Sequence, residues 1–303
     1  MKGIGNTPLI KLERLTDSNS AEIYVKFEGA NLTGSMKDRM AFSMIEGAER
    51  DGRLKKGMKV VEYTGGSTGS SLAMVCAKKG FKAHFVSSNG FAEEKLQTMR
   101  AFGATVEIIH AENGILTADI INRMIARTKE LIRDPNTFWP DQINNLDNKL
   151  GYHQMALEII KELGTNIDEF VMAVGGGGCI SGNSEVLKDK IPSIQIIGVE
   201  PYNVRNISGG DTSGTHKLEG IGLSFLPSIL RKDLIDEVIS VRDEDAYKIA
   251  NELAQKEGIL GGATSGANVW AAIQRAKKIG AGKKIVTVVC DTGIKYLRGD
   301  LYE

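Results

Sequence analysis

The sequence is poor in the residues that mark several protein classes. It has 3 cysteines and 6 prolines in 303 residues. Cys76, Cys179 and Cys290 are far apart, odd in number and without a CxxC pair, so neither a disulfide framework nor a cysteine-based zinc site is expected. Charge of one sign is also lacking: 38 basic residues face 38 acidic ones. No net field draws the chain to nucleic acid or to an anionic membrane, and neither is expected as a partner. No apolar run approaches the ~18 residues of a membrane span. The first twenty residues, MKGIGNTPLIKLERLTDSNS, hold no apolar core of a secretory signal, so a cytoplasmic enzyme is expected. His84, His110, His153 and His216 show neither i, i+4 pairing nor carboxylate and cysteine neighbours at ligand spacing, so no metal is expected. No Walker loop occurs.

Glycine is the residue in excess, with 35 in the chain against a usual roughly 7%. It gathers at Thr64-Gly65-Gly66-Ser67-Thr68-Gly69, at Gly175 to Gly178 and at Gly261-Gly262. Each cluster ends an apolar run or precedes a helix-like segment, where backbone amides approach ligands. Strands are predicted over 22–27, 59–63, 83–87, 105–110, 170–174, 195–199, 237–241 and 285–289. Helices are predicted over 37–50, 70–79, 93–102, 117–133, 149–163, 181–188, 243–256 and 266–278. Helical spacing is clear at Leu116, Ile120, Met124, Ile125 and Leu131. The strands are almost continuously apolar, as in a parallel sheet covered on both faces. The chain is therefore α/β, with mostly parallel sheets. The polar, turn-rich stretch 134–148 is read as a crossing between two α/β halves, with a ligand cleft between them.

Two motifs carry chemistry. Thr33-Gly34-Ser35-Met36-Lys37-Asp38-Arg39 opens a predicted helix. A lysine in a first turn is either a solvated side chain behind a Ser35 cap, or an amine biased towards the neutral nucleophile that a Schiff base needs. The tetraglycine Gly175-Gly176-Gly177-Gly178 follows a strand and precedes a helix. Its successive N–H groups suit an anion, and a purely structural tight turn is the alternative. The dinucleotide pattern fails at Ile180, which should be glycine.

In their order along the chain these pieces resemble the cysteine synthase and cystathionine β-synthase family, the fold-type II pyridoxal-phosphate enzymes. The resemblance runs from Ile4-Gly5-Asn6-Thr7-Pro8-Leu9 through the lysine motif, Thr64–Gly69, Gly175–Gly182, Glu219-Gly220-Ile221-Gly222 and Thr264-Ser265-Gly266-Ala267. It closes at Asp291-Thr292-Gly293-Ile294-Lys295-Tyr296-Leu297. It implies two open, mostly parallel twisted sheets with flanking helices and the cofactor in the cleft between domains, as in tryptophan synthase β. The implied division is a smaller domain over 36–145, with the substrate loop, and a larger one over 1–35 and 146–303, with the phosphate loop.

The resemblance further implies pyridoxal 5'-phosphate held by Lys37, which later takes the substrate Cα proton. Gly175, Gly176, Gly177, Gly178 and Cys179 correspond to the phosphate loop, and Thr292 to the residue facing the pyridine nitrogen. A hydroxyl there gives a moderate electron sink, which suits α,β-elimination. Thr64, Gly65, Gly66, Ser67, Thr68, Gln142 and Gly220 correspond to substrate contacts. The implied activity is β-replacement on an activated L-serine with sulfide or a thiol. The alternative is a β-eliminating lyase or dehydratase, and a non-catalytic binding module is disfavoured by Lys37. A homodimer is implied, with no appended regulatory domain and no N-terminal haem segment. Two departures bear on specificity. Ser67, which corresponds to a cofactor contact as well as a substrate contact, stands where the family usually has Asn, and Gly176 and Cys179 stand where it usually has Thr, with Ser181 as a nearby hydroxyl. A tetraglycine loop is more like the serine and threonine dehydratase branch.

Overall fold

The computed structural model describes residues 1–115, 117–223 and 225–303. Leu116, named above in the helical spacing, lies outside the described residues. In chain order the elements are β1 (Leu9–Lys11), β2 (Glu22–Phe27), α1 (Lys37–Arg50), β3 (Lys59–Tyr63), α2 (Ser67–Lys79), β4 (Lys82–Ser88), α3 (Glu93–Ala101) and β5 (Thr105–Ile109). There follow α4 (Ala118–Leu131), β6 (Thr137–Phe138), α5 (Leu146–Leu150), α6 (His153–Leu163), β7 (Glu169–Ala173), α7 (Gly178–Lys190) and β8 (Gln195–Pro201). The chain closes with β9 (Glu237–Val241), α8 (Asp243–Glu257), α9 (Ala263–Ile279) and β10 (Lys284–Val289). Among the described residues no helix is long and apolar enough to cross a membrane.

Two compact units result: Lys37–Gly151 with Met1, and Lys2–Met36 with Tyr152–Glu303. The first contains a four-stranded parallel sheet in the order β5-β4-β3-β6. The second contains six strands in the order β1-β2-β10-β7-β8-β9, parallel except for the β1–β2 pair. Strand β7 is buried at every position, which explains why its sequence is apolar without alternation. Its one charge, Glu169, is met by the Arg275 guanidinium at 2.8 Å. Fully buried side chains such as Phe170 each contribute about 1.5–3 kcal/mol.

The differences from the expected elements have local causes. β1 is a three-residue edge strand and β6 has two residues, both too short for periodicity to register. The helix expected over 149–163 is two helices, α5 and α6. Between them Gly151 passes against α1, where an added Cβ would lie 2.7 Å from the Arg39 carbonyl oxygen. α2, α7 and α9 each begin three residues earlier than expected, because the ends of the glycine-rich turns are wound into the helices.

Strand order fixes where a ligand can sit in each unit. From β3 the chain moves through β4 to β5 on one side, and then places β6 on the other side of β3. From β7 it moves through β8 to β9, and then places β10 on the other side of β7. Each unit therefore has a switch point, where the loops after two neighbouring strands diverge and open a crevice at their carboxyl ends.

Candidate active site

The switch point of the smaller unit lies at the ends of β3 and β6. Strand β3 runs directly into Thr64-Gly65-Gly66, and α2 begins at Ser67 with Gly66 as its N-cap. The Thr64 hydroxyl turns inward and accepts from the Gly69 N–H at 3.1 Å, so it holds the loop itself. Glycine is required at 65, where a Cβ would sit 2.0 Å from the Phe91 ring. From the end of β6 the chain brings Gln142 to this loop: the Thr68 hydroxyl donates to its Oε1 at 2.8 Å. That bond orients the amide so that Nε2, a donor, is its other end.

Beneath this loop lies Glu62, fully buried on β3. Its Oε1 accepts from the Trp139 indole N–H at 2.7 Å and from the Tyr63 N–H at 3.1 Å, and its Oε2 from the Gln142 N–H at 3.3 Å. Burial pushes the carboxyl up to about 8, against the pull of these three donors. Sequence reasoning missed Glu62 and Trp139. The available signal was a carboxylate inside the otherwise buried run Val60-Val61-Glu62.

The switch point of the larger unit lies at the ends of β7 and β10. After β7 the chain reaches Gly175 to Gly178, and α7 begins at Gly178. Gly177 has φ +80°, and a Cβ there would meet Leu230 Cβ at 2.9 Å. A Cβ at Gly175 would sit 2.0 Å from the Gly220 carbonyl oxygen, so Gly220 lies against the phosphate-loop candidate in this unit. Both positions admit glycine alone. Cys179 is the second residue of α7 and is buried. Ser181 is buried too, and its hydroxyl accepts from the Arg231 N–H at 2.9 Å, fastening the segment that covers Gly177.

After β10 come Asp291 and Thr292. Thr292 Oγ1 accepts weakly from the Ile294 N–H at 3.4 Å, while the Tyr296 hydroxyl donates to Asp291 Oδ2 at 2.6 Å. The lysine segment is stitched to the same strand end. The Thr292 N–H donates to the Gly34 carbonyl at 2.9 Å, and the Met36 N–H donates to the Cys290 carbonyl at 2.8 Å. Ser35, considered above as a cap, forms the bridge to Asp291 that lies between these two bonds. Lys37 is the next residue in the chain and the first of α1.

The N-terminal motif braces this segment from its other end. Gly5 N–H donates to Asn31 Oδ1 at 2.9 Å, and the Thr7 hydroxyl to Glu28 Oε1 at 2.6 Å. Asn31 in turn accepts the Gly34 N–H on its carbonyl at 2.8 Å.

The donor set suits a phosphorylated cofactor. Gly175–Gly178 is a backbone cradle that side chains would fill, set at the start of a thirteen-residue helix. Neither α2 nor α7 has an acidic residue in its first turn, whereas α8 has Asp243, Glu244 and Asp245 there. Anions are therefore not opposed at either glycine turn.

Comparison with known proteins decides the family. The model of the pyridoxal-phosphate dependent enzymes matches residues 1–291. The chain belongs to that family. This pyridoxal-phosphate enzyme is 40% identical over 302 residues to a cysteine synthase of Staphylococcus aureus, covering 99% of this chain and 95% of that one. Its fold matches the crystal structure of a hydrogen sulfide-producing enzyme from Fusobacterium nucleatum with a TM-score of 0.91 at 37% identity, over 97% and 96% of the two chains. An O-acetylserine dependent cystathionine β-synthase from Helicobacter pylori gives 0.90 at 36% identity, over 99% and 97%. The chain is thus a cysteine synthase-like enzyme that uses pyridoxal 5'-phosphate.

Proposed function

We propose that this enzyme performs β-replacement on an activated L-serine, with sulfide or a thiol as the incoming group. The observation that carries this reading is the Thr68–Gln142 pair on the glycine turn after β3. A hydroxyl fixes the glutamine amide beside the start of a helix free of first-turn acids, which is an arrangement for an α-carboxylate. Gly65, Gly66, Ser67 and Thr68 bind that carboxylate through loop amides and the Ser67 hydroxyl, together with Gln142, while Thr64 holds the loop in shape.

When bound, the cofactor supplies an electron sink for breaking the substrate's Cα–H and Cβ–leaving-group bonds. Lys37 holds it through Nζ, and the same amine then carries the Cα proton. Gly175, Gly176, Gly177 and Gly178 bind the phosphate with backbone N–H groups, at the amino end of the helix that Cys179 continues. Thr292 meets the pyridine nitrogen with a neutral hydroxyl, while Asp291 is engaged by Tyr296. Gly220, which lies next to Gly175, is assigned to the substrate by the resemblance. The resemblance also carries the expectation of a homodimer.

A second reading, net β-elimination from cysteine or serine, is favoured by the likeness to the hydrogen sulfide-producing enzyme. Both readings need Lys37. Lys37→Ala should abolish the visible absorbance of the bound cofactor and lower turnover by about 10³-fold or more, as expected for losing a general base. Full turnover in that variant without added amine would remove Lys37 from the chemistry.

A further inference from the structure

The mechanism above leaves Glu62 unused, although it is fully buried at the carboxyl end of β3. It sits on β3 one residue before the end of the strand, and its bonds reach 77 and 80 positions along the chain, to Trp139 and Gln142. The segment it grips is held in an unusual shape. Asp141, between the two anchored residues, has φ +48°, a left-handed conformation that a non-glycine residue keeps when its surroundings impose it. The Asn148 side-chain amide closes the other side by donating to the Gln142 carbonyl at 2.6 Å. Gln142 is thus held by its N–H, its carbonyl and its Oε1, and the first and last of these ties lead to β3 and to the loop that grows out of it.

We propose that Glu62 is a positioning residue for recognition of the substrate α-carboxylate: it ties Gln142 and Trp139 to the end of β3, so that the glutamine and the Thr64–Gly69 loop present their donors as one unit. This rests on the reading of that loop and Gln142 as the carboxylate site. The carboxyl is fully buried and accepts from three N–H groups, so it acts on the substrate site through the residues it holds.

The test compares L-serine with L-serine methyl ester, which keeps the amine and loses the carboxylate. Each is titrated into the cofactor-loaded enzyme, and binding is followed by the cofactor's absorbance. The wild type should prefer the acid. Glu62→Gln keeps the size and one acceptor but sets an amide N–H₂ against the Gln142 N–H. It should weaken acid binding about tenfold, leave ester binding within twofold and leave cofactor affinity intact, as expected for one misplaced hydrogen-bonding group. Trp139→Phe, which spares Glu62 and removes its indole donor, should narrow the preference about threefold by the same reasoning, and serves if Glu62→Gln does not accumulate folded. A folded variant that discriminates acid from ester as the wild type does overturns the proposal. A wild type with no preference for the acid takes down the carboxylate site and the proposal together.

Discussion

The two glycine-rich turns look alike in the sequence and work differently in the structure. Both leave the carboxyl end of a parallel strand at a switch point and lead into a helix without acidic residues in its first turn. The turn after β3 is governed by side chains: Thr64 folds back on Gly69, Thr68 holds Gln142, and Glu62 supports the whole from below. The turn after β7 is governed by backbone, with Gly175 and Gly177 occupying places that no side chain fits. A phosphate is the same in every reaction of such a cofactor and can be met by fixed amides. A substrate carboxylate has to be admitted and released in each cycle, which suits side chains whose hydrogen bonds exchange.

The contrast breaks most severely if the backbone turn tolerates a side chain. Gly177→Asp combines a left-handed φ, a clash at Leu230 and a negative charge at an anion site. Cofactor affinity measured by equilibrium dialysis should fall by about 100-fold, equivalent to ~2.7 kcal/mol. Unchanged affinity would remove this turn from the cofactor.

A different quantity, the stability of the fold, separates the two turns by pH. The Glu62 carboxyl is raised in the folded chain to about 8 from an ordinary 4.5, so the fold favours its neutral form. The stabilisation from that preference is complete below pH 4.5 and is lost as the pH rises through 8. Over that interval the free energy of unfolding should decline by a few kcal/mol, at about 1.4 kcal/mol for each tenfold difference in proton affinity between the folded and unfolded chain. Glu62→Gln should flatten this part of the profile in urea titrations, and a profile that keeps its slope would place the titrating group elsewhere.

The smallest expected effect is at the hydroxyl that joins the loop to the glutamine. Thr68→Val keeps the shape and removes one hydrogen bond worth about 1 kcal/mol, so KM for the amino-acid substrate should rise roughly fivefold. An unchanged KM would mean that Gln142 is oriented by its backbone ties alone.

The pattern of these elements explains what was legible in the sequence. β2, β3, β9 and α1 fall at the expected bounds, because buried parallel strands and amphipathic helices write their period directly into the chain. The glycine clusters were legible as ligand turns for a similar reason, since a residue without a side chain marks a close approach. The resemblance supplied the family, which the comparisons bear out. What remained hidden depends on strand order. Glu62 reads as one more residue of a strand until β6 is placed beside β3 and brings Trp139 and Gln142 to it. Ser181 shows the reverse: it reads as a spare hydroxyl beside the phosphate loop, and the fold uses it to hold the Arg231 backbone. Interactions between residues distant in the chain have no local period, so they appear only with the tertiary structure.

The central claim, replacement at Cβ, is tested most directly by following both products at once. The cofactor-loaded enzyme is given O-acetylserine with increasing sulfide, and L-cysteine and pyruvate are quantified in each sample. Replacement predicts cysteine formed in step with O-acetylserine consumed, with pyruvate falling towards zero as sulfide saturates. Pyruvate formed at an undiminished rate, with no sulfide incorporated into an amino acid, would contradict the claim and establish elimination as the reaction.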